Sequence, residues 1–261
     1  GLVSLNPASP VRTVRMHPCV QAAVRAYLPG PDLEPTIAAA ADALLQAWPE
    51  SAGPAPLVQA LRDCTAALRT VQVGMLWQGQ AHPLLFRAGI SLQDSGLTAS
   101  AVSYWQNMLV TSSRMFGSGH ADAVLARDRL AAAYESAGHF GDAIALFQGA
   151  LTVRERGQGY EHPDTIAARG RLAHAYASAG RPAEATELYE QVIGAASRQL
   201  GPGHPVTLTA RANLASTYLA AGQDAESIAA YQLLLTDSER ILGPDHPMTV
   251  TVRENLDHAR T

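Results

Sequence analysis

His120, His162, His204 and His246 follow one another at intervals of 42 residues. Imidazoles are common transition-metal ligands, so such a series first raises zinc chemistry. The spacing argues against it. A fixed period of this size belongs to a repeat array, and packed helices in neighbouring repeats lie ~8–10 Å apart. Zinc–ligand bonds span only ~2.0–2.3 Å, so one histidine per repeat does not converge on an ion. The histidines are expected instead to cap or pack the start of one helix in each repeat. No metal site and no cofactor is expected.

Catalytic chemistry is thinner still. Ser, His and Asp are scattered with no nucleophile elbow and no H-E-x-x-H spacing. Glu184 and Glu187 share a helix face and read as solvated. A phosphate-binding G-x-x-x-x-G-K-S/T loop is ruled out because all 19 basic residues are Arg and none is Lys. The expectation is a non-enzymatic chain that neither binds nor hydrolyses ATP alone. A second column, Arg127, Arg169, Arg211 and Arg253, keeps the same 42-residue interval. It reads as a ladder of inter-repeat hydrogen bonds or ion pairs, with the Arg stems covering the interface.

These columns need regular elements to carry them. Gly138, Gly180 and Gly222 repeat in register, as do Tyr134, Tyr176 and Tyr218. Trp105, Phe147, Tyr189 and Tyr231 are always aromatic; Ala101, Ala143, Ala185 and Ser227 are always small. In the unit from His162 to Leu200, Pro163 suits the first helical position. Ile166, Leu172, Ala173 and Tyr176 then recur at helical spacing up to Gly180. Pro182 opens a second helix that carries Ala185, Leu188, Tyr189, Val192 and Ile193 on one face and stops at Gly201-Pro202. Each unit is thus a helix hairpin. The units run roughly 81–116, 117–158, 159–200 and 201–242, followed by a helix from Pro247 to about Arg260. The first is clipped, since His82 lies 38 residues before His120. Asp257 occupies the small column of Gly89, Ala131, Ala173 and Ala215, so residues 247–260 read as a polar-faced cap that ends the array.

Bulk composition agrees with a folded interaction protein. Apolar residues make up 47%, which excludes disorder. No run of eighteen apolar residues exists, so no transmembrane helix is expected. A net charge of −4 offers no basic footprint for nucleic acid. Cys19 and Cys64 make no disulfide framework, which points to a reducing, cytoplasmic home. Arg without Lys, together with abundant Ala, reads as the coding bias of a GC-rich bacterial genome.

The order Leu172-Ala173-x-x-Tyr176, Ala185, Tyr189 resembles the tetratricopeptide (TPR) signature, stretched by about eight residues beyond the usual ~34. The long period and the Gly-x-x-His-Pro junction are similar to kinesin light chain repeats, and more so to TPR arrays of actinobacterial signalling proteins. Ala121 in place of Pro after His120 departs from the pattern. The fold class implied is all-α, a right-handed αα superhelix over 81–261. The resemblance also implies a concave groove faced by Arg129, Arg171, Asn213 and Asn255. His174 and Ser216 lie one turn on, with Ala132, and Leu125 and Thr209 on the preceding turn, with Ala167. Such a groove suits an extended, partly acidic protein or peptide ligand.

The N-terminal segment reads differently. Gly1–Leu5 and Val11–Met16 are short β-rich runs around Asn6-Pro7-Ala8-Ser9-Pro10, a composition that suits a hairpin loop. A short helix from His17 to Arg25 follows. The string Val14-Arg15-Met16-His17-x-x-Val20-Gln21 resembles the winged-helix segment of STAND-type (NB-ARC-like) signalling NTPases. That implies a small winged-helix remnant containing a short β-hairpin at 1–30, a helical linker at 31–80 with helices over 35–48 and 55–72, and an upstream nucleotide-binding module. The function implied is a protein- or peptide-binding sensor or scaffold of a bacterial signalling NTPase or transcriptional regulator. The alternatives are a stand-alone adaptor, or an auxiliary subunit that presents a peptide to a modifying enzyme. No direct nucleic-acid or membrane partner is expected.

Overall fold

The structure is a computed structural model that describes residues 3–6, 13–16, 30–49, 53–71 and 74–261. The chain divides into two compact units, Gly1–Ala126 and Arg127–Thr261.

In the first unit, strands β1 (Val3–Asn6) and β2 (Thr13–Met16) pair antiparallel, with Val3 opposite Met16 and Asn6 opposite Thr13. The helix expected from His17 to Arg25 lies outside the described residues, and two short strands alone do not establish a winged helix. Helices α1 (Gly30–Gln46) and α2 (Ala55–Val71) follow. α1 begins five residues before the expected Pro35. Pro35 lies inside this helix, where its fixed φ fits but it removes one backbone hydrogen bond and crowds the preceding turn. Both helices pack on α3 (Pro83–Asp94), which forms a hairpin with α4 (Thr98–Phe116). The Arg62 guanidinium ties α2 to α3 by donating to the Ser91 carbonyl and the Ser95 hydroxyl, each at 3.1 Å.

Helix α5 (Ala121–Ser136) carries the chain from the first unit into the second. The second unit continues with α6 (Phe140–Gln158), α7 (Pro163–Ser178), α8 (Pro182–Gln199), α9 (Pro205–Ala220), α10 (Asp224–Leu242) and α11 (Pro247–Ala259). Each helix from α6 to α11 packs on its neighbour in sequence. This is a helical, TPR-like superhelical repeat fold, with hairpin boundaries close to those expected.

The columns now acquire physical roles. Nδ1 of His82, His120, His162, His204 and His246 accepts the backbone N–H two residues on, at 3.2–3.3 Å, at the start of α3, α5, α7, α9 and α11. Histidine thus does what Ser or Asp ordinarily does at an N-cap. At the other end of α7, Gly180 takes φ +70° and lets the Arg181 N–H reach the Tyr176 carbonyl at 2.9 Å. That left-handed conformation strains any residue with a Cβ, which explains the glycine column. The small column is buried: Ala131, Ala173 and Ala215 are all 0% exposed. At the last helix, Val252, Leu256 and Ala259 close the core against Leu208, Tyr231 and Leu234, while Asp257 faces outward and pairs with Arg260 at 3.4 Å. Among the described residues, no helix is long and apolar enough to cross a membrane.

Candidate functional site: a groove across three first helices

Arg169 and Arg253 pair between repeats as the sequence suggested, whereas Arg211 pairs within its own hairpin. Arg169, 1% exposed, donates to Glu155 at 2.8 Å and lies 3.7 Å from the centre of the Tyr160 ring. Arg253 repeats the arrangement with Glu239 at 2.8 Å, 14 residues back as in the first pair. Arg211 has Ser197 at the matching position, and reaches forward to Asp237 at 2.8 Å. The Arg211 guanidinium holds the Asp237 carboxyl below its ordinary range, with burial opposing. Glu184 is held by Arg181. These pairs link helices or helix ends. Among the described residues, no three His, Cys, Asp or Glu side chains converge as a metal ion would require.

Within the second unit, α5, α7 and α9 line a cavity of about 530 Å³. Helical spacing places the lining. Asp128, Ala132 and Glu135 fall at i, i+4 and i+7 on α5; Ala167, Gly170, Arg171 and His174 form the equivalent stripe on α7. Thr209 and Asn213 complete it on α9, and Phe147, Tyr189 and Val192 supply an apolar floor from the second helices. Gly170 is notable, because a Cβ added there would meet nothing within 4 Å. No packing contact demands a glycine in the middle of this helix, and its absence of a side chain leaves the groove open.

Of the residues that the sequence pointed to, Arg171, His174, Thr209 and Asn213 line the cavity, with Ala132 and Ala167. Arg129 is half-buried beside it and does not line it. Leu125, in the preceding unit, is 40% exposed. Ser216 and Asn255 lie beside the Tyr231 hydroxyl, one repeat further on, and oppose the effect of its burial. Asn213 stands likewise beside Tyr189, whose phenol burial pushes up to about 12 against the opposing effect of Asn213. The two asparagines therefore stand beside the aromatic column. Asn stands where the aromatic residue 24 positions earlier is Tyr (Tyr189, Tyr231), and Arg stands where it is Trp105 or Phe147, which have no hydroxyl to satisfy.

The sequence reading missed two carboxylates. Asp128 pairs with Arg171 and with Arg154, the latter at 3.1 Å, through the same oxygen, Oδ2. Its Oδ1 is buried and accepts no hydrogen bond from the protein, nor does the buried Oε1 of Glu135. Burial raises the Glu135 carboxyl, partly offset by His174. The signal was in the register. Asp128 stands in line with Gly170 and Ala212, and Glu135 with Ala177 and Leu219, so each is the acid in an otherwise small or apolar set.

A tetratricopeptide repeat family model matches residues 127–198 and again 164–236. Among solved structures, a kinesin-light-chain-type protein of Podosopora anserina with nearly identical TPR-like repeats is 26% identical to this chain. Its structure superposes with a TM-score of 0.60, covering 67% of this chain and 83% of that one. BtubC from P. vanneervenii is 13% identical with a TM-score of 0.59 over 85% of this chain and 82% of its own, a likeness of fold alone. A search of curated proteins finds no match. Repeats of this family are generally protein-interaction scaffolds. Residues 127–236 of the second unit thus match tetratricopeptide repeats, and the chain is similar in structure to kinesin-light-chain-type repeats.

Proposed function

We propose that the chain is a non-catalytic docking module and that the groove between α5, α7 and α9 receives an extended segment of a protein partner. The observation that carries this reading is the cavity of about 530 Å³, floored by aromatic and aliphatic side chains and rimmed by polar groups from three successive helices. That combination is the usual make-up of a recognition site. The open helical position at Gly170 supports it, since a purely structural helix gains from Ala there. Gly170→Leu sends a side chain toward the groove from a position where an added Cβ meets nothing within 4 Å. Peptides selected by display on the full chain are expected to bind it and to lose calorimetric affinity for the Gly170→Leu variant. Equal affinity for both proteins rejects the groove as the site.

We infer further that the docking module serves a cytoplasmic bacterial signalling NTPase of the STAND type or a related transcriptional regulator. In that reading the N-terminal hairpin belongs to a winged-helix remnant at 1–30, and residues 31–80 link it to the array. The support is the string Val14–Gln21 and its order ahead of a 42-residue repeat. A G-x-x-x-x-G-K-S/T motif encoded upstream of Gly1 is the expected finding; a gene without one points to a stand-alone adaptor.

A further inference from the structure

We propose that the groove recognises a basic side chain, Lys or Arg, on the docked segment, with Glu135 as the group that selects it. This deepens the docking reading above and rests on it. The charge of the lining is the starting point. Arg171, the cation that would attract an acidic peptide, shares the Asp128 carboxylate with Arg154. What remains uncommitted is acceptor capacity: Oε1 of Glu135 and Oδ1 of Asp128 are both buried, both without a protein donor, and both on residues lining this one cavity.

A buried carboxylate without donors is costly unless a cation supplies them. An ammonium brings three N–H groups and a guanidinium five, enough to satisfy Glu135. Phe147 and Tyr189 in the lining offer the long alkyl stem an apolar bed. An acidic side chain meets the reverse: two carboxylates and one arginine that is already paired. The rise of the Glu135 carboxyl on burial agrees with the geometry, since it reports a charge the protein leaves undercompensated, with His174 offsetting only part.

The test uses the full chain and pools of short, capped peptides in which one position is fixed as Arg, Lys, norleucine or Glu, read by fluorescence anisotropy. Arg- or Lys-fixed pools at one position are expected to bind at least ~tenfold more tightly than norleucine-fixed pools, as a charge-assisted pair in a desolvated site does. Glu135→Gln should abolish that preference while norleucine pools still bind, and Glu135→Asp, which keeps the charge, should retain much of it. Gly170→Leu should weaken every pool. A preference for Glu-fixed pools, or a basic preference that Glu135→Gln leaves unchanged, overturns the cation assignment and leaves docking intact. Absence of binding by every pool, or binding indifferent to Gly170→Leu, overturns the docking reading and the cation assignment with it.

Discussion

The hairpin α3/α4 in the first unit and the hairpin α7/α8 in the second share one register and use it to opposite ends. In α3/α4 the small column is Gly89 and the aromatic column is Trp105, which is 0% exposed. A Cβ on Gly89 would come within 2.4 Å of the indole ring, so the pair is packed shut. The indole N–H donates to Gln93 within the same hairpin, at 3.2 Å. In α7/α8 the same columns hold Ala173 and Tyr189, and the Tyr189 hydroxyl meets Asn213 on α9. One column thus closes a hairpin on itself or ties it to the next helix. Only where it ties does the open position at Gly170 leave a groove above an aromatic floor.

The same substitution placed at two glycines separates these roles most sharply. Gly89→Ala is expected to lower stability by about 1–3 kcal/mol through overpacking against Trp105, more than the ~1 kcal/mol that helix propensity returns. Urea denaturation with an unchanged slope checks it; a rise in midpoint would show that Trp105 can move aside. Next in size, Tyr189→Phe should cost about 1 kcal/mol by leaving Asn213 without its partner. A double-mutant cycle with Asn213→Ala measures the coupling, and a zero coupling would dismiss the hydroxyl as the tie.

Gly170→Ala should move stability the other way, raising it by about 0.5–1 kcal/mol, since nothing opposes the added methyl. A loss of stability there would mean that the groove is narrower than its geometry. The smallest effect concerns pH. Burial raises the Glu135 carboxyl above its ordinary value, with His174 acting against it, while Asp128, Arg171 and Tyr189 face the same cavity. The folded state therefore binds that proton more readily than the unfolded chain. Its contribution to stability is fully present below the ordinary carboxyl range and is lost as pH rises through the raised value. Unfolding of Glu135→Gln across the acidic range should lack this decline; curves that stay parallel to those of the parent would remove Glu135 as its source.

Much of the scaffold was legible because periodicity repeats a local rule. His-Pro at each helix start, Gly at each hairpin turn and the small-against-aromatic columns each report backbone geometry, which nearby residues dictate. The Arg ladder was legible for the same reason, although its partners were not: Arg211 turns forward to Asp237 because Ser197 replaces the acid found beside Arg169 and Arg253. The site was read in part. Arg171, His174, Thr209 and Asn213 were placed on the groove by the family resemblance together with helical spacing, and all four line the cavity.

The sequence by itself determined where each helix begins and ends, which face it buries and how often the hairpin recurs, since capping, turn conformation and amphipathic spacing act within a few residues. Only the tertiary structure decided the electrostatics of the groove. Asp128 and Arg171 are 43 residues apart in sequence and become neighbours through the stacking of α5 on α7. That contact ties the arginine which suggested an acidic ligand to a carboxylate, while one oxygen of Asp128 and one of Glu135 accept no hydrogen bond from the protein. Charge acts through space, so its balance in a repeat protein is settled by which helices lie side by side.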